Sequence, residues 1–177
     1  MRVCAVICEY NPFHNGHARH LTLAREKSSA DFMLCLMSGA LTQRGAFARH
    51  DKWLRARMAL LGGADLVLEL PCRFACAPAP DFASDGVALL HALGVVTHLS
   101  FGCEAQSLDI LFAARDALRD ESPAFQSVLK DALDRGLPYP RARALAAESA
   151  SGLSGLAEQI ALPNTALALE YLQALPD

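Results

Sequence analysis

No stretch of this sequence is apolar for long enough to cross a bilayer. The longest apolar runs lie around Leu66-Val67-Leu68 and from Gly86 to Leu93, far short of the roughly 20 residues a helical span needs. An excess of charge of one sign is also missing. Sixteen Lys and Arg face 19 Asp and Glu, for a net charge of -3. No overall basic field steers the molecule to nucleic acid, so any such contact must come from a local patch. Repeats and low-complexity tracts are absent. Charged residues make up 20% of the chain against 53% hydrophobic, which excludes a disordered composition. A secretory leader is not expected. Met1 to Cys8 could pass for a short leader, but Glu9-Tyr10-Asn11-Pro12 follows at once with no small-residue cleavage site.

Six cysteines are present: Cys4, Cys8, Cys35, Cys72, Cys76 and Cys103. Metal-site spacing is not. Cys72 and Cys76 would make half a zinc site, and no second pair or nearby His completes it. No resident metal is expected. Reduced thiols packing as small hydrophobes in a cytoplasmic protein, with no membrane partner, explain the cysteines. The 177 residues suffice for one domain with a normal core, or one domain plus an appendage.

What the sequence does contain is an alternation. Arg2 to Cys8 reads as a buried strand, and Glu9 to Gly16 as a loop rich in turn formers. His17 to Lys27 reads as a helix, Asp31 to Met37 as a strand ended by Ser38-Gly39. Asp51 is placed to cap a helix over Lys52 to Leu61, which Gly62-Gly63 stops. Asp65 to Leu70 is a strand, Phe74 to Pro80 a Pro/Ala loop, Asp81 to Leu93 a helix, and Val95 to Phe101 a fourth strand. Trp53 and Phe74 are expected in the core. This order predicts an α/β fold: a Rossmann-like parallel sheet with helices on both faces. Beyond Glu104 the strand signal stops. Ser107 to Leu118, Pro123 to Arg135, Tyr139 to Ala150 and Asn164 to Leu175 read as helices. Residues 1–104 are expected to form the nucleotide-binding core, and residues 105–177 a helical extension packed on or beside it.

In open parallel sheets, ligands bind at the carboxyl ends of the strands. The unusual residues fall there. Glu9 to His17 follow the first strand; Ser38-Gly39 and Gln43-Arg44-Gly45 the second; Pro71 and Arg73 the third; Gly102 and Glu104 the fourth. The first of these loops is the most informative. His14 and His17 bracket Gly16 where a helix begins, and a helix N-terminus attracts anions. Two imidazoles add directed donors. Gly16 removes a side chain where a nucleotide would approach closely, and Pro12 stiffens the loop. The arrangement suits attack on the α-phosphate of ATP with pyrophosphate leaving, where the protein's work is positioning and charge neutralisation. A metal-binding His pair and simple helix capping are the other readings of the same spacing.

His14-Asn15-Gly16-His17 resembles the HIGH-type signature of the nucleotidylyltransferase superfamily. The longer pattern resembles one family, the tRNA(Met) cytidine acetate ligases. It runs from Glu9 through His20-Leu21, then Met37-Ser38-Gly39, Gln43-Arg44-Gly45, Asp51-Lys52-Trp53 and Arg55-Ala56. Met58-Ala59-Leu60, Asp65-Leu66-Val67, Glu69-Leu70-Pro71, Leu99 to Glu104, Pro163-Asn164 and Glu170-Tyr171-Leu172 continue it. The resemblance implies a Rossmann-like domain with added helices that activates acetate with ATP. Acetyl-adenylate then passes its acetyl group to the N4 amine of the wobble cytidine of elongator tRNA(Met). It also implies ATP contacts from Ile7, Cys8, Glu9, Tyr10, Asn11, Pro12, Phe13, His14, Asn15, Gly16, His17 and His20, and from Gly102 and Asn164. Family chains run to about twice this length. Their further ATP-contacting arginine and tRNA-holding helices fall beyond the position of Asp177.

Some assignments rest on individual residues. Ser38 and Gly39 are expected to floor the nucleotide pocket. His14 and His17 are the expected catalytic pair, with Mg²⁺ accompanying ATP. Gln43, Arg44, Lys52 and Glu69 are candidates for substrate or tRNA contact. Asp51 reads first as a helix cap and second as a carboxylate near Mg²⁺. Arg135, Arg141 and Arg143 form the compact basic cluster, read first as a solvated face. Two other functions remain open: transfer of AMP to a phosphorylated small molecule, and a non-catalytic ATP-binding module.

Overall fold

The computed structural model describes residues 1–105 and 107–176; Gln106 and Asp177 lie outside the described residues. The chain forms two compact units, Met1–Phe101 and Gly102–Asp177.

The first unit runs β1 (Val3–Cys8), α1 (Asn15–Ser28), β2 (Phe32–Ser38), α2 (Lys52–Leu61), β3 (Leu66–Leu70), α3 (Cys72–Ala75), α4 (Ala79–Ala92) and β4 (His98–Leu99). Its four strands are parallel, in the order β3-β2-β1-β4. β1 is buried at every position and β2 at all but its first. Unbroken burial of this kind requires cover on both faces. Alternate residues show what covers each. Cys4, Val6, Cys8, Met33, Cys35 and Met37 pack in one cluster with Leu21 and Ala24 of α1 and Ala59 of α2. Ile7 faces the other way. It meets α4, where a Cβ at Gly86 would lie 2.8 Å from Ile7 Cδ1.

At the amino ends of the strands, Asp65 ties the layers together. Its Oδ2 accepts from Met33 N at 2.7 Å and from Arg25 Nη2 at 2.5 Å. Arg25 also donates to the carbonyls of Asp31 and Gly63. Burial alone would push the Asp65 carboxyl up; the Met33 amide and the Arg25 guanidinium outweigh it and hold it below its ordinary value.

Expected boundaries change around α4 and β4. The fourth strand is His98–Leu99 rather than residues 95 to 101. It is an edge strand paired only with β1, and the Thr97 hydroxyl accepts from Val3 N where a longer ladder would continue. The expected loop from Phe74 to Pro80 instead contains the end of α3 and the start of α4. Pro at the first turn of α4 is compatible with helix because that N–H has no intrahelical partner.

The second unit is helical: α5 (Leu108–Asp120), α6 (Pro123–Asp134), α7 (Tyr139–Ser151), α8 (Leu156–Ile160) and α9 (Pro163–Ala174). Ser107 and Ser122 cap α5 and α6 by accepting from Ile110 N and Phe125 N. Leu111, Ala114, Phe125, Ala142, Ala146, Leu156 and Ala168 are its buried core. Small residues on α7 let its neighbours approach closely. α8 was not expected; it follows Gly155, which takes a positive φ of 80° as its N-cap.

Glu104 fixes the start of α9. Its carboxylate accepts from Asn164 Nδ2 at 2.7 Å, Thr165 N at 2.8 Å and Thr165 Oγ1 at 3.0 Å. That supplies the capping oxygen the helix's own Leu162 lacks. In the expected basic cluster, Arg143 is occupied by Glu170 and Gln173.

Candidate functional site

The strand order places a switch point between β1 and β4, where the chain turns from one side of β1 to the other. The loop after β1 lies there, and α1 leaves from it. His14 is the N-cap of α1, so the helix begins at Asn15 and not at His17. The reason is a capping box built from two imidazoles. His14 Nδ1 accepts from Gly16 N at 3.1 Å, and His17 Nδ1 accepts from the backbone N of His14 at 3.3 Å. The two rings stack, with centroids 3.6 Å apart and planes at 22°.

This pairing decides the protonation pattern. With both Nδ1 atoms accepting, the neutral rings carry their protons on Nε2. His17 is pushed down to about 4, first by burial, then by His14 and His20. At neutral pH it is therefore an uncharged donor rather than a cation. Capping and presentation of an Nε2–H are thus compatible roles of the same ring. The close approach expected at Gly16 is made by His14 itself: a Cβ there would lie 2.9 Å from His14 Cε1.

The rest of the loop holds this pair in place. Tyr10 is buried with a φ of 48°. Its ring lies 4.9 Å from that of Phe13 in a T-shaped contact and 4.7 Å from that of His17. The Tyr10 hydroxyl meets Cys35 Sγ at 3.6 Å in the core. Phe13 packs on the end of α2, where a Cβ at Gly62 would lie 2.3 Å from its Cζ. Ile7 and Cys8 are core residues at the end of β1. His20 Nε2 meets Ser100 Oγ at 2.9 Å, joining α1 to the end of β4 across the switch point. Burial pushes His20 down as well.

Glu9 and Asn11 shape the next loop. Glu9 Oε1 accepts from Gln43 N at 2.6 Å, and Asn11 Oδ1 accepts from Arg49 N at 2.7 Å. Between them the chain turns at Gly45, which has a φ of 72°. Arg44 stands exposed at this tip.

Arg55 was matched in the family pattern but given no role, and it is the centre of the edge. It is completely buried. Its Nε donates to His50 O at 3.1 Å, its Nη1 to Glu9 O at 2.6 Å, and its Nη2 to Gly39 O. One side chain therefore ties the loop after β1, the end of β2 and the entry to α2. A sequence signal exists: Arg55 is one helical turn before Ala59, on the core-facing stripe of α2. A charged residue on such a stripe needs buried partners.

Ser38 and Gly39 lie at the end of β2, as expected. The space over Gly39 belongs to Glu69, whose Oε1 would lie 2.2 Å from a Cβ there. Glu69 Oε2 pairs with Lys52 Nζ at 2.5 Å. Ser38 Oγ is buried with no hydrogen-bond partner. A cavity of about 160 Å³ lies among Met37, Ser38, Lys52, Trp53, Ala56 and Glu69. Trp53 is not in the core: it is 76% exposed. Arg55 and Ala59 define the inner face of α2, and a residue two before Arg55 falls on the opposite side. Phe74 is half-buried beneath the Arg73 guanidinium, 4.6 Å from its ring centre.

Asp51 caps α2 by accepting from Leu54 N at 2.9 Å. Asn15 is exposed in the first turn of α1. Gly102 and Asn164 belong to the second unit, where Asn164 is held by Glu104. Among the described residues, no group of three or more His, Cys, Asp or Glu could hold a metal ion. Cys72 and Cys76 are free thiols with Sγ atoms 3.9 Å apart. Among the described residues, no helix is long and apolar enough to cross a membrane.

Known proteins are similar to this chain in sequence and fold. The chain is 44% identical to a tRNA(Met) cytidine acetate ligase of Acetivibrio thermocellus over 176 residues, covering 99% of this chain and 42% of the relative. A ligase of the same name from Clostridium perfringens is 40% identical over 182 residues, covering 99% and 45%. Thermotoga maritima TmcAL, solved with alpha-thio ATP, superposes with a TM-score of 0.90 at 39% identity, covering 98% of this chain and 43% of that one. The chain thus spans under half the length of the relatives it matches. The family model for the HIGH Nucleotidyl Transferases matches residues 1–177. With that match over its whole length, and with the stacked pair His14 and His17 at the start of α1, the chain belongs to the HIGH nucleotidyl transferase family.

Proposed function

We propose that this chain binds ATP at the carboxyl edge of its sheet and adenylates acetate, releasing pyrophosphate. The observation that carries the reading is the capping box of His14 and His17. It presents two Nε2–H donors beside a helix N-terminus, the place where phosphate charge is best received. The donors are fixed before the ligand arrives, so they cost little reorganisation as charge builds on the leaving pyrophosphate. The relatives' names supply acetate and tRNA(Met), and the Thermotoga maritima structure supplies an ATP analogue.

In this reading the segment Ile7 to His17, with His20, Ser38 and Gly39, forms the nucleotide site of the first unit. The family resemblance carries Gly102 and Asn164 over as further ATP contacts. Tyr10, Phe13 and Arg55 contribute by holding the loop. Mg²⁺ arrives with the nucleotide. The carboxylates at this edge are already engaged: Glu9 by Gln43, Asp51 by Leu54 and Glu69 by Lys52. They build no dedicated magnesium site, so the ion is assigned to the ATP phosphates, as is usual for Mg²⁺. Acetyl transfer to the wobble cytidine of elongator tRNA(Met) belongs to the complete reaction. The cytoplasm is the compartment that fits six free thiols and a tRNA partner.

An ATP–pyrophosphate exchange assay tests this. Exchange that requires acetate is expected. Exchange that requires a phosphate ester instead would assign the chain to a different member of the superfamily. ATP binding without any exchange would make it a non-catalytic nucleotide module.

A further inference from the structure

The segment after Gln43 has a composition unlike the rest of the chain. From Gln43 to Leu61 it holds Arg44, Arg49, Lys52, Arg55 and Arg57, against Asp51 as the single acid. Of these, Arg55 is buried on backbone carbonyls and Lys52 is paired with Glu69. Asp51 is used as a cap. Arg44, Arg49 and Arg57 are exposed, and among the described residues their side chains make no hydrogen bond or ion pair. Two large aromatic side chains stand among them, Phe47 at 83% and Trp53 at 76% exposure. Trp53 and Arg57 are one helical turn apart and share the outer face of α2.

Neither feature is explained by contacts among the described residues. Exposed aromatic rings interleaved with unpaired arginines are what an unstacked nucleic-acid strand needs. The guanidinium groups neutralise phosphates, and the ring faces take bases. The whole chain carries a net charge of -3, so this strip is a local cationic patch on an otherwise mildly acidic molecule. Phe47 and Trp53 are six residues apart, which limits their Cα separation to roughly 20 Å. The cavity of about 160 Å³ beside Trp53 opens the same strip. A cavity of about 150 Å³ takes a six-membered ring. At its wall stand a carboxylate, an ammonium and the unpartnered Ser38 hydroxyl.

We propose that Arg44–Arg57 is a docking strip for an unpaired RNA strand, with bases stacked on Phe47 and Trp53 and one unstacked base entering the cavity lined by Ser38, Lys52, Trp53 and Glu69. The choice of RNA over DNA rests on the function proposed above; the strip itself rests on exposure, charge and ring placement.

Trp53 is the single tryptophan of the chain, so its fluorescence reports on this strip alone. The 177-residue chain is titrated, without ATP, with a single-stranded RNA of about ten nucleotides and with the same RNA annealed to its complement. Quenching by the single strand and little by the duplex is expected. Binding of a labelled oligonucleotide to Trp53→Ala should be roughly 5- to 150-fold weaker. Combined Arg44→Ala, Arg49→Ala and Arg57→Ala should flatten the salt dependence by about two in log–log slope. Equal quenching by duplex, unchanged binding by the variants, or capture by anionic vesicles in place of RNA would overturn the proposal. So would a self-associated chain in which Trp53 is already shielded. Acetate-dependent exchange that persists while the strip fails to bind RNA would sink this inference and leave the ATP reading standing.

Discussion

His14 and His17 each use Nδ1 to hold a backbone N–H of the same turn, and their rings stack at 3.6 Å. One local hydrogen-bond pattern thereby sets both the start of α1 and the tautomer of both rings. Structure and chemistry are not separable at this turn.

Gly16→Ala tests the tightness of that pattern. The added methyl would press on the His14 ring at about the distance of a forbidden contact, and the ring cannot retreat without leaving Gly16 N. The variant should keep its fold, since Ala is the better helix former, yet bind ATP roughly tenfold more weakly, as expected for one lost charge-assisted hydrogen bond. Titration calorimetry and far-UV circular dichroism on the same sample check both halves.

The lowered pKa of His17 makes stability depend on pH with a definite sign. The unfolded chain takes up a proton near 6.5, whereas the folded site does so only near 4. Between these values the unfolded state binds more protons, so stability rises with pH from about 4 to about 6.5 and is fully present above that. His20, also lowered by burial, adds in the same direction. Urea midpoints across this window should climb with pH, and climb less steeply in His17→Gln.

Arg55→Ala should be among the most damaging single changes in the first unit. It leaves the carbonyls of Glu9, Gly39 and His50 without their shared donor. A buried, unsatisfied group costs about 1–3 kcal/mol; the bond to Gly39 O is buried and the other two are half-buried, so a loss of about 2–3 kcal/mol is expected in urea unfolding. Lys at this position has one ammonium and cannot reproduce a planar fork to three acceptors, so it should recover only a minor part.

Glu104→Ala removes the capping oxygen of α9. A loss of about 1–2 kcal/mol is expected, confined to the helical unit. Amide exchange should show it, with faster exchange at the start of α9 and unchanged protection in β1 and β2.

Much of this architecture was legible from residue order. α2 was bounded correctly because Asp51 and Gly62-Gly63 are strong start and stop signals. The parallel sheet followed from apolar runs alternating with helical periods. β4 was read too long because edge pairing, which only the neighbouring strand decides, sets its length. α8 was missed because it is only five residues long and starts after Gly155, a residue that more often ends a helix than caps its start. Trp53 was expected in the core on residue type, while its register against Arg55 and Ala59 turns it outward. Arg55 was passed over because a helical arginine reads as solvated until its face is known. The two histidines were singled out, but their mutual capping depends on ring geometry that spacing alone does not reveal.

The central claim is that His14 and His17 receive the phosphates of ATP. Calorimetric titration of Mg²⁺-ATP into the wild-type chain and into His17→Gln, both verified as folded, tests it most directly. Binding at least tenfold weaker in the variant is predicted, as for loss of a hydrogen bond to a charged group. Equal affinity in the two proteins would contradict the account.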